Sequence, residues 1–419
     1  MKIMKISLKN IGKIKEANVE VNGITVIAGE NDTGKSTVGK ALFCFFNGLY
    51  DIKQCVIKEK IESMEKIIKE NELCFTKDFQ IEKQILALKE QSENDREKIR
   101  EKVRQFLYSL SLLRRENLEN KVESICDVLM IPDDVIMKKM FTKILEIEFH
   151  GQINHLFIDE PSEIELMIGA NSIKSTILEN KVVNIEGEET LNTESIYIDD
   201  PFILDDISYQ IQTSFMFFEA INRSKYCSHK EHLKQKLFLD NRNVNTIDSI
   251  LIEKGLEEIT KKIELVCNGE VNTDKKGQLV YVKNGKKLSI SNLSTGLKSF
   301  TILKILLENG TIKRNGTIIL DEPEIHLHPE WQLIFAEVIV LLQKQFGLHI
   351  LLNTHSPYFL KAIETYAAKY EIADRCKYYL TSVKEESATL EDVTTYTEKI
   401  YQKLAIPLET LKREQYRYD

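Results

Sequence analysis

An α/β fold with a parallel-sheet core, interrupted by a helical insertion, is the class that these 419 residues predict. Short β-branched apolar runs each end in a polar loop, as buried parallel strands do. Helical periodicity resumes after each run, which is the alternation of a βα architecture. Between the first and second of these runs lies a long stretch, Asp51 to His150, with no glycine and one proline, Pro132. Helices tolerate such a stretch and turns do not.

Composition bounds the rest. Hydrophobic residues at 42% and charged residues at 29% are ordinary globular usage and argue against wholesale disorder. With 57 basic and 65 acidic residues the net charge is −8, which excludes a generally basic nucleic-acid protein. A local basic groove is still allowed, because phosphate recognition needs a patch and not a basic average. No run approaches the roughly 18 apolar residues of a membrane span, and the start, MKIMKISLKNIGKIKEANVEV, alternates like a strand pair without a signal-peptide core. Seven cysteines are scattered without a CxxC pair, as reduced thiols are. The expectation is a soluble cytoplasmic protein with no membrane partner.

Taken in order, residues 1–50 read as strand, turn, strand, loop and helix. Ile24 to Ala28 is a buried strand running into GENDTGKST, and Val38 to Phe46 continues as an apolar helix. Residues 51–150 form the helical insertion, a short coiled-coil type. Apolar residues step by three and four through Ile57, Ile61, Met64 and Ile68, then Ile81, Ile85 and Leu88, then Ile99, Val103, Phe106, Leu110 and Leu113. Residues 151–290 are a mixed α/β segment continuing the first domain. Ser195 to Ile198 reads as a strand entering Asp199-Asp200-Pro201, and Gln278 to Ile290 as a hairpin turning on Asn284-Gly285. Residues 291–370 alternate helix and strand, and 371–419 are expected to be a helical tail.

The chemistry sits at the strand ends. Gly29-Glu-Asn-Asp-Thr-Gly34-Lys35-Ser36 fits G-x-x-x-x-G-K-[ST] between a predicted strand and helix, a backbone cradle for a polyphosphate. In that pattern Lys35 reaches the β- and γ-phosphates and Ser36 ligates Mg²⁺. Gly316-Thr-Ile-Ile-Leu-Asp321-Glu322-Pro323 is a second buried strand ending in two acids, one suited to hold Mg²⁺ and the other to polarise water. Leu156-Phe-Ile-Asp159-Glu160-Pro161 imitates it, but its run is short and no βα unit follows. Asn292-Leu293-Ser294-Thr295-Gly296-Leu297-Lys298-Ser299 opens a helix with Ser294 as N-cap. The run Leu348 to Asn353, ending in Thr354-His355, is a third strand whose imidazole can face a γ-phosphate. Cys227-Ser-His229-Lys-Glu-His232 lacks a fourth ligand at a recognised spacing, so these read as surface residues and not a metal site.

In this order the four motifs resemble the ABC-type P-loop ATPases. The wording LSTGLKSF, ILDEPEIHLHPEWQ and NTHSPYFL is similar to the AAA-21/AAA-15 ATPases of bacterial defence systems. Those include the ATPase subunits of Septu-like and PARIS-like systems and the ATPase half of overcoming-lysogenization-defect nucleases. The resemblance covers about residues 1 to 50 and 280 to 365. It implies a head-to-tail homodimer clamping ATP and Mg²⁺, open to higher assembly. Gly29, Asn31, Gly34, Lys35, Ser36 and Thr37 would bind one nucleotide. Ser294, Gly296 and Lys298 would touch the γ-phosphate held by the opposing subunit. Asp321 and Glu322 match the magnesium and catalytic positions, His355 the switch histidine, and Gln152 the glutamine that couples magnesium to the helical region. His326, His328 and Pro329 fall where the subunits would meet.

The signature S-T-G-L-K in place of S-G-G-Q, with the large insertion, counts against a transporter subunit. Too few residues follow His355 for the appended nuclease domain, so effector activity is expected from a separate nuclease or toxin. A repair or chromosome-maintenance ATPase acting directly on DNA is the alternative, and nucleic-acid contact is left open.

Overall fold

The computed structural model describes residues 3–69, 95–109, 118–187, 191, 193–207, 226–238, 256–274 and 279–418. The apolar steps at Ile81, Ile85, Leu88, Leu110 and Leu113 lie outside them. The chain forms two compact units, Met1–Tyr50 with Phe141–Asp419 and, separately, Asp51–Met140. The boundary between the units falls inside the last helix of the expected insertion, which runs Asp133–Glu148.

The smaller unit is built on α2 (Ile52–Lys69), α3 (Arg96–Ser109) and α4 (Leu118–Met130). Met64, Ile68, Ile99, Val103, Leu107, Val122 and Ile125 interlock as its own core. Lys60 is buried there, and its ammonium donates to Leu129 O (3.3 Å) and Ile131 O (2.7 Å), closing the end of α4. Helix α5 (Asp133–Glu148) follows.

The larger unit is one eleven-stranded mixed sheet in the order β6-β5-β4-β1-β2-β14-β13-β3-β12-β11-β7. Its strands are β1 (Met4–Ile11), β2 (Ile14–Glu20), β3 (Ile24–Ala28), β4 (Ser162–Ile168), β5 (Asn171–Leu178), β6 (Lys181–Glu186), β7 (Ser195–Ile198), β11 (Thr317–Asp321), β12 (His349–Thr354), β13 (Cys376–Lys384) and β14 (Ser387–Asp392). The run β13-β3-β12-β11-β7 is wholly parallel. Its strands are apolar on both faces because both faces are covered. Ile24, Val26, Ile318, Leu320, Ile350 and Leu352 face one core with helices α7 (Thr295–Glu308), α8 (Pro329–Phe346) and α9 (Pro357–Lys369). The alternate residues Ile27, Ile319 and Leu351 face the other core with α1 (Lys35–Leu49).

β8 (Glu270–Thr273), β9 (Leu279–Lys283) and β10 (Lys286–Ser289) make a separate small sheet. The predicted hairpin turns with Asn284 at φ 51° and Gly285 at φ 73°, the doubly left-handed signature of a type I′ turn. The expectation of a helical tail is corrected: β13 and β14 precede the helix α10 (Glu398–Tyr418), and β13 pairs with β3. Strand β13 reads CKYYLTSVK, aromatic and β-branched residues with a buried alternate set, so sheet packing wins over helix there. The helix α6 (His229–Phe238) lies against β7.

Candidate functional site

Strands β3, β12 and β11 end side by side, with Asp321 opposite Asn353 and Asn353 opposite Ile27. Ligands in open parallel sheets bind outside these carboxyl ends. The loop after β3 wraps as the glycine spacing requires. Gly34 takes φ +81°, and a Cβ on Gly29 would overlap the Thr381 hydroxyl. Gly34 is also the N-cap of α1 and offers no side-chain acceptor, so the first-turn N–H groups of a 15-residue helix stay open to an anion. The floor of the loop comes from β13, where the Thr381 and Thr33 hydroxyls meet at 2.6 Å in a buried contact. Lys35 is buried, and its Nζ donates to Gly29 O (3.1 Å) and Glu30 O (2.7 Å). Asn31 is exposed, and Ser36 and Thr37 are half-buried in the first turn of α1.

Asp321 is held at both oxygens. Asn353 Nδ2 donates to Oδ1 at 2.9 Å and the Tyr197 hydroxyl donates to Oδ2 at 2.7 Å. Glu322 sits in the left-handed region (φ +50°), fixed by its N–H donating to Asn353 O at 2.9 Å. That strained turn points its carboxylate across the strand ends, 3.5 Å from Lys35 Nζ and 3.3 Å from His355 Nδ1. Behind them Glu324 is buried and accepts from the Thr354 hydroxyl and the His355 N–H. Burial holds its carboxyl above the ordinary range, with those two donors opposing.

The donor set fits a hydrated divalent cation. Ser36 and Asp321 offer hard oxygens, and two acceptors on the strand ends flanking Asp321, Asn353 Oδ1 and Asp199 Oδ1, are buried without a hydrogen-bond partner. Such orphaned acceptors are what a cation or its water shell satisfies.

The signature segment divides. Ser294 is the N-cap of α7 without a side-chain capping bond, and it is exposed. Gly296 is buried, and a Cβ there would lie 3.0 Å from His326 O and 3.1 Å from the Trp331 ring. Lys298 is a correction to the expected phosphate contact. It is 3% exposed, with its Nζ 2.7 Å from the Asp205 carboxylate, 3.1 Å from Ser291 O and over the Phe202 ring. An ammonium spent inside its own subunit is a structural ion pair. Lys298→Ala is therefore expected to lower unfolding free energy by about 2 kcal/mol, less than a fully buried pair because Asp205 is 32% exposed. Chemical denaturation checks this, and unchanged stability would return Lys298 to the phosphate role.

Gln152 is not brought into the cluster. It follows α5, and its amide donates to Asn154 O at 2.9 Å. The strand running beside Asp321 is β7, with Ile198 opposite Leu320, so it is Asp199 that lies at the strand end next to Asp321. The imitation motif at Leu156 to Pro161 is a turn with Leu156 and Phe157 exposed, and Glu160 pairs with Lys9. His229 and His232 are buried and not surface residues, since both are held by acids: Glu148 and Asp199 for the first, Glu194 for the second. Among the described residues no cluster of acids, cysteines and histidines could hold a metal by itself. Among them, too, no helix is long and apolar enough to cross a membrane. Thr381, Tyr197, Asn353 and Glu324 are site residues that the motifs did not name.

A phosphate loop, an Asp-Glu pair and a histidine on adjacent parallel strand ends define a P-loop nucleotide hydrolase. Residues 1–360 match the AAA ATPase domain family AAA_15, so the chain belongs to that family and is an ATPase. The retron Vc95 probable ATPase of Vibrio cholerae serotype O1 biovar El Tor is 24% identical over 394 residues, 85% of this chain and 70% of that one. The retron Ec83 probable ATPase of Escherichia coli is 32% identical over 98 residues, 21% of this chain and 18% of that one. Among solved structures the SMC head domain from Thermotoga maritima matches with TM-score 0.40 at 11% identity over 94% and 99% of the two chains. The Pyrococcus furiosus Smc head, bound to the C-terminal domain of ScpA, matches with TM-score 0.44 at 12% identity over 98% and 100%.

Proposed function

We propose that the chain is a nucleotide-gated dimer serving anti-phage defence. Mg·ATP would join two copies head to tail, hydrolysis would part them, and the cycle would hold or release a separate nuclease or toxin. The observation that carries this reading is the meeting of Lys35, Glu322 and His355 within 3.5 Å at the carboxyl edge. The motif wording of defence ATPases, together with two relatives named as probable ATPases of retrons, supports the setting.

In this mechanism the amides of Gly29 to Thr37 grip the triphosphate, and Lys35 exchanges its loop carbonyls for β- and γ-phosphate oxygens. Ser36 and Asp321 would hold Mg²⁺, which when bound would neutralise charge on the phosphates. Glu322 takes the proton of the attacking water as its oxygen bonds to the γ-phosphorus and the bond to the β-bridging oxygen breaks, giving ADP and phosphate. The His355 ring hydrogen-bonds the γ-phosphate. Ser294 and Gly296 of the second copy close the site, so nucleotide binding energy favours the dimer.

Ser294→Arg tests the sandwich, because a long cation at an exposed N-cap blocks approach without touching the loop of its own subunit. It should leave nucleotide affinity of the single chain within about twofold while abolishing ATP-dependent association by light scattering, a loss of more than the about 1.4 kcal/mol that one tenfold step represents. An ATP-dependent dimer that persists in the variant removes the model. Co-purification with the neighbouring gene products, with and without a non-hydrolysable nucleotide, tests the effector. Recovery of no nucleotide-dependent partner would count against a separate effector.

A further inference from the structure

β7 and β11 run in parallel register with Tyr197 opposite Ile319 and Ile198 opposite Leu320. Because side chains alternate, Tyr197, Asp199, Ile319 and Asp321 share one face of the sheet. On that face the Tyr197 ring is 1% exposed and lies in a slot opened by Gly39 of α1, where a Cβ would come within 2.9 Å of the ring. Its hydroxyl reaches diagonally to Asp321 Oδ2 at 2.7 Å.

The ring has its own support. The His229 imidazole packs on it, centroids 4.4 Å apart, and is pinned at both nitrogens: Nδ1 to Glu148 Oε1 at 2.6 Å and Nε2 to Asp199 Oδ2 at 3.0 Å. The His229 N–H also donates to Glu148 Oε2 at 3.0 Å, and Phe43 sits edge-on to both rings. Burial alone would discharge this histidine. The two carboxylates outweigh it and raise it to about 9, leaving an imidazolium between two acids. None of these groups belongs to the four motifs.

We propose that Tyr197, seated by the His229 clamp, is a positioning residue that fixes the orientation of the Asp321 carboxylate for the metal. A carboxylate on a strand end rotates freely about its last torsion unless its oxygens are engaged. Here Asn353 holds one oxygen and Tyr197 the other, and Tyr197 reaches it from inside the core, where water cannot substitute. The inference rests on reading Asp321 as the metal carboxylate.

The test is Tyr197→Phe in the full chain, which keeps the ring and its packing and removes the donor. Mn²⁺ affinity in the presence of ADP, read by electron paramagnetic resonance, should weaken about 10–100-fold, the usual effect of losing a group that orients a metal ligand. Half-saturating Mg²⁺ for hydrolysis should rise in step, while nucleotide affinity in EDTA and the melting temperature stay near native. Asp321→Asn is run beside it. If Asp321→Asn loses Mn²⁺ and Tyr197→Phe does not, the positioning role is overturned. If both keep native Mn²⁺ affinity, the metal role of Asp321 itself fails. A Tyr197→Phe protein that only melts earlier, with Mn²⁺ affinity intact, also overturns the proposal.

Discussion

Glu322→Gln should bind ATP with native affinity and hydrolyse it about 10²–10⁴-fold more slowly, the usual contribution of a positioned general base. Glutamine matches the shape of the side chain, so the left-handed turn at φ +50° and the N–H bond to Asn353 O survive. What goes is the ability to accept the proton of the attacking water. Lys35 at 3.5 Å also loses a counter-charge, which strengthens its hold on phosphate. The variant should therefore accumulate as an ATP-bound dimer on a sizing column. Phosphate release within a few-fold of native would move the base elsewhere, and Glu324, buried behind the same strand end, would be the residue to test next.

The parts of the site that the sequence discloses are those in which one local pattern carries the chemistry. Ile24 to Ala28 followed by glycines, and Thr317 to Leu320 followed by two acids, need no knowledge of distant residues. A strand buried on both faces must be apolar throughout, and its first polar residues must fall at its end. The imitation at Leu156 to Pro161 fails on that ground, since Leu156 and Phe157 are exposed and the segment forms no strand.

What stayed hidden is contact across the chain. Thr381 meets Thr33 from 348 residues away, and Tyr197 meets Asp321 from 124 residues away. Nothing in either local segment announces a neighbour in the phosphate loop or at the Asp321 carboxylate. Lys298 illustrates the converse. A lysine in a signature position reads as a phosphate contact, and only the fold shows Asp205 within 2.7 Å to keep it inside. The tail strands were within reach: Tyr378, Tyr379, Leu380, Thr381 and Val383 favour a sheet. Polar neighbours on the half-exposed face concealed the run.

Lys35→Ala should lower affinity for ATP at least about 100-fold, because an ammonium facing two phosphates forms several charge-assisted bonds of about 1.5–3 kcal/mol each. The structure adds a second cause. Lys35 Nζ bridges Gly29 O and Glu30 O, so it also braces the loop whose amides form the cradle. Alanine takes the ammonium from the buried Gly29 carbonyl and leaves Glu30 O with the Thr33 hydroxyl (2.8 Å), so the loop is freer to depart from its anion-binding shape. The two causes separate by substitution. Lys35→Arg keeps a cation, but its planar fork and greater bulk do not fit a buried point-charge site. It should recover part of the stability and little of the affinity. Equilibrium binding of a fluorescent ATP analogue, with thermal melts of the same samples, distinguishes them. Near-native nucleotide affinity in Lys35→Ala would mean that the triphosphate does not lie in the loop between β3 and α1. The roles assigned to Glu322, His355 and Asp321 would then lose their common substrate.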